Sequence, residues 1–111
     1  MEITTHWVGD IPAPLPINVK DAYGRPVDCT VYDTFKIVML GSNNEMVDLA
    51  GSELNTNGAR LGKFVFTWPL TRSVFERHGE YVLQLELSGL GKREYTTPHT
   101  IRVRQLGRVG K

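Results

Sequence analysis

Five short runs of this chain place an apolar residue at every second position: Leu15, Ile17 and Val19; Phe35, Ile37 and Met39; Phe64, Phe66 and Trp68; Tyr81, Leu83, Leu85 and Leu87; Ile101 and Val103. A period of two sets such residues on one face of an extended strand, whereas a helix would scatter them around its axis. Each strand then has one face that must be covered, and the cover at hand is a second sheet. The pattern predicts an all-β chain and argues against an α/β fold, which needs several long helical patterns.

The segments between the runs carry turn chemistry. Residues 4–8 are expected as a first edge strand, ended by Gly9-Asp10 and by Pro12, Pro14 and Pro16, which remove backbone donors and keep the chain extended. Asp21-Ala22-Tyr23-Gly24 reads as a tight turn, with residues 25–28 opening a short return segment. Residues 41–57 show no sustained period, so a long connection is expected, holding one or two short strands around 46–49 and 52–54. Asn57-Gly58 marks a turn, and Gly89-Leu90-Gly91-Lys92 marks a hairpin returning through Arg93 to Arg104. Pro98 interrupts that last segment and predicts an edge strand or a bulge.

Between Thr67 and Leu87 the rhythm changes twice. Leu70, Val74 and Phe75 fall at helical spacing; Pro69 stops the preceding strand, Thr71 is placed to cap a helix, Leu70 and Phe75 to staple it, and Gly79 to end it. The spacing predicts a short helix of about two turns between two late strands, stabilised by burying Val74 and Phe75 against the sheet edge. With short strands and Pro/Gly-rich turns, the whole reads as an immunoglobulin-like β-sandwich of six to eight strands.

A chain of 111 residues fits one domain, 1–111, with 1–3 and 107–111 expected as flexible or partner-bound tails. At this length no metal or disulfide framework is needed for stability, and the single Cys29 has no Cys to pair with. Thirteen Lys plus Arg against 12 Asp plus Glu give +1, which supplies no field to hold nucleic acid. The start, MEITTHWVGD, lacks the pattern of a secretory signal, and no segment approaches membrane-spanning length, so assembly in a reducing cytoplasm is expected.

The run WVGDIPAPLPINVKDAYGRPVDCT, then GKFVFTWPLTRSVFERHGEYVLQLEL and a terminal TIRVRQ, resembles the immunoglobulin-like N-terminal domain of siphophage baseplate upper proteins over nearly the whole chain. The marks are Gly9-Asp10, the strand ending in Asp21 with Gly24 and Pro26 after it, Val27-Asp28, the aromatic strand, Phe75, and Gly79 with Tyr81 two residues later. Baseplate members of that family continue into a long C-terminal region, whereas the chain here ends at Lys111. The resemblance therefore implies a non-enzymatic virion structural protein of a tailed phage: a minor tail, baseplate or head-to-tail connector component, or a capsid decoration. Its partners would be other virion proteins and copies of itself in a symmetric homo-oligomer, its place the tail or neck of the particle assembled in the host cytoplasm, and it would need no cofactor.

Catalytic alternatives are thin. His6, His78 and His99 are scattered; His78 falls in the last predicted helical turn, where a cation suits the helix dipole. Ser73 and Cys29 lack a nucleophile motif, and Cys29 reads as a small buried hydrophobe. Asp10, Asp21, Asp28, Asp33 and Asp48 lack the spacing of a calcium loop and read first as turn formers, and Gly89-Leu90-Gly91 lacks the helix of a phosphate cradle.

Trp7, Tyr23, Tyr32, Trp68 and Tyr95 raise a second function, a carbohydrate-binding adhesion module, although Trp68 belongs to the inward face of its strand. Trp7 can either pack under the sandwich or anchor a partner. The expected partner contacts are Trp7 and Asp10 in the N-terminal arm, with Arg102, Arg104 and Arg108 on the C-terminal strand and tail, where Lys111 also lies.

Overall fold

A computed structural model describes residues 3–96 and 98–105. Eight strands form in chain order: β1 (Ile3–Trp7), β2 (Leu15–Asn18), β3 (Thr34–Leu40), β4 (Glu53–Gly58), β5 (Lys63–Thr67), β6 (Gly79–Gly89), β7 (Lys92–Tyr95) and β8 (His99–Arg104). One sheet runs β1-β8-β6-β3, with β7 also paired to β6; the other runs β2-β5-β4. This is the strand distribution of an immunoglobulin-type sandwich.

The period-two runs do what their spacing predicts. Phe64 and Phe66 of β5 face Leu83, Leu85 and Leu87 of β6, Ile37 and Met39 of β3, and Ile101 and Val103 of β8 in one buried cluster. Rings continue it beyond β5: Phe66 meets Trp68 edge-on at 4.9 Å, Trp68 meets Phe75 at 5.2 Å, and Phe75 meets Tyr81 at 5.3 Å. Cys29 is buried in the same cluster.

Three expectations fail, each for a physical reason. No helix forms across residues 70–78; the segment is a series of bends. Val74 and Phe75 are buried as expected, but Leu70 is 72% exposed and staples nothing. Ser73 holds the segment instead: its Oγ donates to the Asp10 carbonyl at 2.6 Å and accepts the Phe75 amide at 3.1 Å. A hydroxyl spent on backbone partners in this way competes with helical pairing. A short helical turn between strands does occur, but at Ala59–Leu61, where a 3-10 turn joins β4 to β5 and ends at Gly62 with φ 67°.

The second correction concerns that same reversal. β4 continues to Gly58, through the Asn57-Gly58 step expected to turn, because Asn55 Oδ1 accepts the Asn57 amide at a shift in the β4–β5 register. The 46–49 strand reduces to one bridge, Leu40 to Met46.

The third is the second half of the last strand; its first half, β7, pairs β6 alone and is the edge expected. β8 is not an edge: β6 pairs along one side and β1, running parallel, along the other. β7 and β8 are successive pieces of one return strand interrupted at Pro98, and β1 covers only the lower piece. The edge expected of β1 holds. β2 is also an edge, and Pro16 lies opposite Val65 there. A proline cannot join the reciprocal bonds of an antiparallel pair, so its polar groups face the open margin and offer a carbonyl without an amide.

Hydrogen bonds tie the loops into two ends. At one, Cys29 N reaches Ala59 O (2.9 Å), Val19 N reaches Gly62 O (2.7 Å) and Asp33 N reaches Ser88 O (3.0 Å), joining the β2–β3, β4–β5 and β6–β7 connections. At the other, Gly9 N reaches Phe75 O (3.0 Å), and Arg72 donates to the carbonyls of Asp48 (3.0 Å) and Ala50 (2.8 Å).

Candidate functional site

The parallel pairing of β1 with β8 decides where the expected contact residues stand. Thr5 is in register with Arg102, and Trp7 with Arg104. Because Ile101 and Val103 point into the core, alternation sends Arg102 and Arg104 to the outer face, and both are exposed. Trp7 is exposed beside Arg104, at 41% of its surface. Arg102 reaches across to Glu80 of β6, Nη2 to Oε2 at 3.2 Å. Thus Trp7, Arg102 and Arg104 form one outward strip near the end of the sheet, an aromatic and two cations. Arg108 and Lys111 lie outside the described residues.

Asp10 is placed differently. Its amide donates to the Trp7 carbonyl at 3.0 Å, closing a turn around Gly9 (φ 92°), and its carboxylate accepts the Trp7 amide at 3.0 Å. The Gly-Asp step is therefore a turn device that aims Trp7, and Asp10 itself is committed to the turn. His6 Nδ1 lies 3.8 Å from the same carboxylate while its ring stacks on Phe75 at 5.8 Å.

The remaining titratable groups stay apart. His99 approaches Thr4 Oγ1 at 3.4 Å on the other half of the β1–β8 pair, and His78 lies exposed in the bent segment, without the helix expected around it. Among the described residues no group of three or more His, Cys, Asp or Glu is arranged to hold a metal. Asp21 accepts the amides of Arg25 (3.0 Å) and Tyr23 (2.8 Å), and these bonds hold its carboxyl below the usual range. Thr30 does the same for Asp28 through its hydroxyl and amide. Burial pushes the Cys29 thiol up, away from the reactive thiolate. Tyr32 donates to Glu94, and Tyr95 donates to Glu86 at 2.8 Å; both phenols are raised by those carboxylate bonds.

Two open grooves mark the surface. The larger, about 590 Å³, runs between β2 and the β6–β8 side, with Lys20, Glu94 and His99 on its walls. The other, about 360 Å³, lies beside Arg72 and Arg77. The aromatics do not converge on either as a platform: Trp7 is at the end of β1, Tyr23 is in the β2–β3 loop with Arg25 5.2 Å over its ring, and Tyr95 ends β7. Trp68 is core, its indole N–H buried without an acceptor among the described residues.

Sequence reasoning missed a group of exposed apolar loop residues, Val31, Leu61 and Leu90, which lie with Tyr23 at the end opposite Trp7. The available signal was their position outside every period-two run, where burial in a strand cannot account for them.

Fold and surface together define an immunoglobulin-type β-sandwich with exposed aromatic, aliphatic and cationic contact groups. Comparison with known proteins finds no matching family model and no matching curated relative. Among the described residues no helix is long and apolar enough to cross a membrane.

Proposed function

We propose that this protein is a non-enzymatic structural component of a tailed-phage particle, a minor tail, baseplate or head-to-tail connector subunit that acts by multivalent docking. Support comes from the likeness to the baseplate immunoglobulin-like domain along nearly the whole chain. The observation that carries the docking part is the β1–β8 strip. A half-exposed Trp beside two Arg on one sheet face is the chemistry of an interface anchor, since these side chains dominate binding energy when a partner dries them. Their backbones are held in the sheet, Arg102 between β6 and β1 and Trp7 against Arg104 in the β1–β8 pair, so little backbone ordering entropy is lost on binding. Each contact is modest, and symmetric repetition multiplies it into a stable joint.

The test is to purify particles from an infected culture and quantify the chain by mass spectrometry. The reading requires it at a fixed copy number per particle, and Trp7→Ala with Arg104→Ala to reduce incorporation without unfolding the domain. Particles that assemble and infect without the chain overturn it. Glycan binding that disappears with Trp7→Ala would favour the adhesion module instead.

A further inference from the structure

β1 is held to the molecule by contacts that a second copy could supply equally well. It is an edge strand, paired along one side to β8 and parallel to it, the slightly weaker of the two ladder types per residue. Its other hydrogen bonds and ring contacts go to β8 and the bent segment. His6 stacks on Phe75 at 5.8 Å, Thr4 Oγ1 meets His99 at 3.4 Å, Val8 N reaches Arg104 O at 2.9 Å, Gly9 N reaches Phe75 O at 3.0 Å, and Ser73 donates to the Asp10 carbonyl at 2.6 Å. Residues 3–10, closed by the Trp7–Asp10 turn, are thus one arm. Ile11, Pro12, Ala13 and Pro14 join it to β2. They lie in no strand or turn and make no hydrogen bond among the described residues. Each proline fixes its own φ and biases the residue before it, Ile11 or Ala13, to the extended region, so the hinge is a stiff spacer.

We propose that β1 is an exchangeable arm: two copies trade residues 3–10, and each arm completes the sheet of the other beside β8. The slot fits that occupant by identity, since it already holds this strand with Thr5 in register with Arg102. Chain direction permits the trade. β1 ends and β2 begins at the end of the sandwich that carries the 70–78 segment, so swinging the hinge outward delivers the arm to a second copy whose same end faces the first. A two-fold axis between them keeps each arm parallel to the β8 it meets, remakes every contact of the closed form, and stops growth at a dimer. The hinge favours the open form by being extended already, with little freedom left to lose when it is stretched between copies. When an arm lifts off, the stiff spacer carries it away from its own slot, whereas a flexible linker would keep it there at an effective concentration of order millimolar. Neighbouring copies therefore compete for it at or below that range. Trp7 and Arg104 then flank the junction, and the exposed tips with Val31, Leu61 and Leu90 point outward. The exchange is a property of the chain itself and does not depend on the particle role, which has its own test.

The purified chain is held reduced at about 1 mM, near its urea midpoint where arms lift and dock again, and is then returned to buffer. Sedimentation velocity is expected to show a dimer that dissociates slowly on dilution. Where the arm sits is read from an equal mixture of two variants treated the same way, Thr5→Cys and Arg102→Cys, whose positions face each other on the exposed side of the β1–β8 pair. Neighbouring strands lie about 4.8 Å apart, within disulfide reach. Oxidised only after the return to buffer, with Cys29 buried again, the mixture is expected to give a heterodimer cross-linked between positions 5 and 102. No closed monomer of either variant can make that bond. A four-residue Gly/Ser insertion after Ala13 in both variants, which lets the arm fold back on a slack linker, is expected to lower the yield about tenfold or more. A wild type that stays monomeric overturns the proposal, as does a dimer whose two variants never cross-link at these positions, or an insertion that leaves the yield unchanged.

Discussion

The Tyr81 phenol donates a 2.7 Å hydrogen bond to the carbonyl of Arg77, four residues earlier, while its ring packs edge-on against Phe75 at 5.3 Å. This is the tyrosine corner of immunoglobulin-like sandwiches, a hydroxyl clamp on the backbone just before the strand begins. It replaces the expected helix as the device that returns the chain from one sheet to the other.

Tyr81→Phe keeps the ring contacts and removes only the clamp. The expected loss is about 1–1.5 kcal/mol, read as a lower urea midpoint with an unchanged m-value. Phe75→Ala, which empties the centre of the ring cluster, is expected to cost about 3–5 kcal/mol.

Gly62 and Gly24 both hold positive φ but should respond differently to Ala. A Cβ at Gly62 would lie 2.5 Å from the Val19 carbonyl oxygen and 2.8 Å from that of Val27, whereas at Gly24 nothing lies within 4 Å. Gly62→Ala is expected to destabilise by more than about 3 kcal/mol and Gly24→Ala by about 1 kcal/mol. Equal costs in thermal unfolding would refute the close approach.

Acid is expected to weaken the domain through Asp21 and Asp28. Their folded pKa values lie below the ordinary value of 3.8, so the unfolded chain binds more protons in the interval beneath it. Their contribution is complete above the unfolded value and is lost as pH falls through the folded one. Stability measured against pH should therefore decline below about 4, and the decline should be shallower in Asp21→Asn/Asp28→Asn.

Cys29 is expected to resist thiol reagents in the native state and to react readily in denaturant, because the buried thiol stays protonated and covered. Fast labelling of the folded protein would show that the 3-10 turn, whose Ala59 carbonyl accepts the Cys29 amide, opens easily.

The sandwich was legible because alternation is a local signal: Phe64 and Phe66, or Leu83 and Leu85, declare their face within a few residues. What covers an edge is not local. Nothing in residues 4–7 says that β1 will lie parallel to β8, and that pairing turned a predicted edge into an interior strand. It also brought Trp7 beside Arg104, a juxtaposition that two separate sequence readings named without joining. The false helix has a similar cause. Leu70, Val74 and Phe75 match a helical period, but the choice was made by the Asp10 carbonyl, 63 positions away from Ser73. The exposed tip escaped notice because isolated apolar residues in loops carry no period at all.

Pro16 has a consequence beyond β2. Where many copies of a sandwich are crowded together, the standing hazard is zipping along unpaired margins into an endless fibre. A margin that lacks its amide at the middle of a four-residue strand gives such a zipper no continuous track. The molecule can thus be concentrated while that flank stays barred to sideways growth.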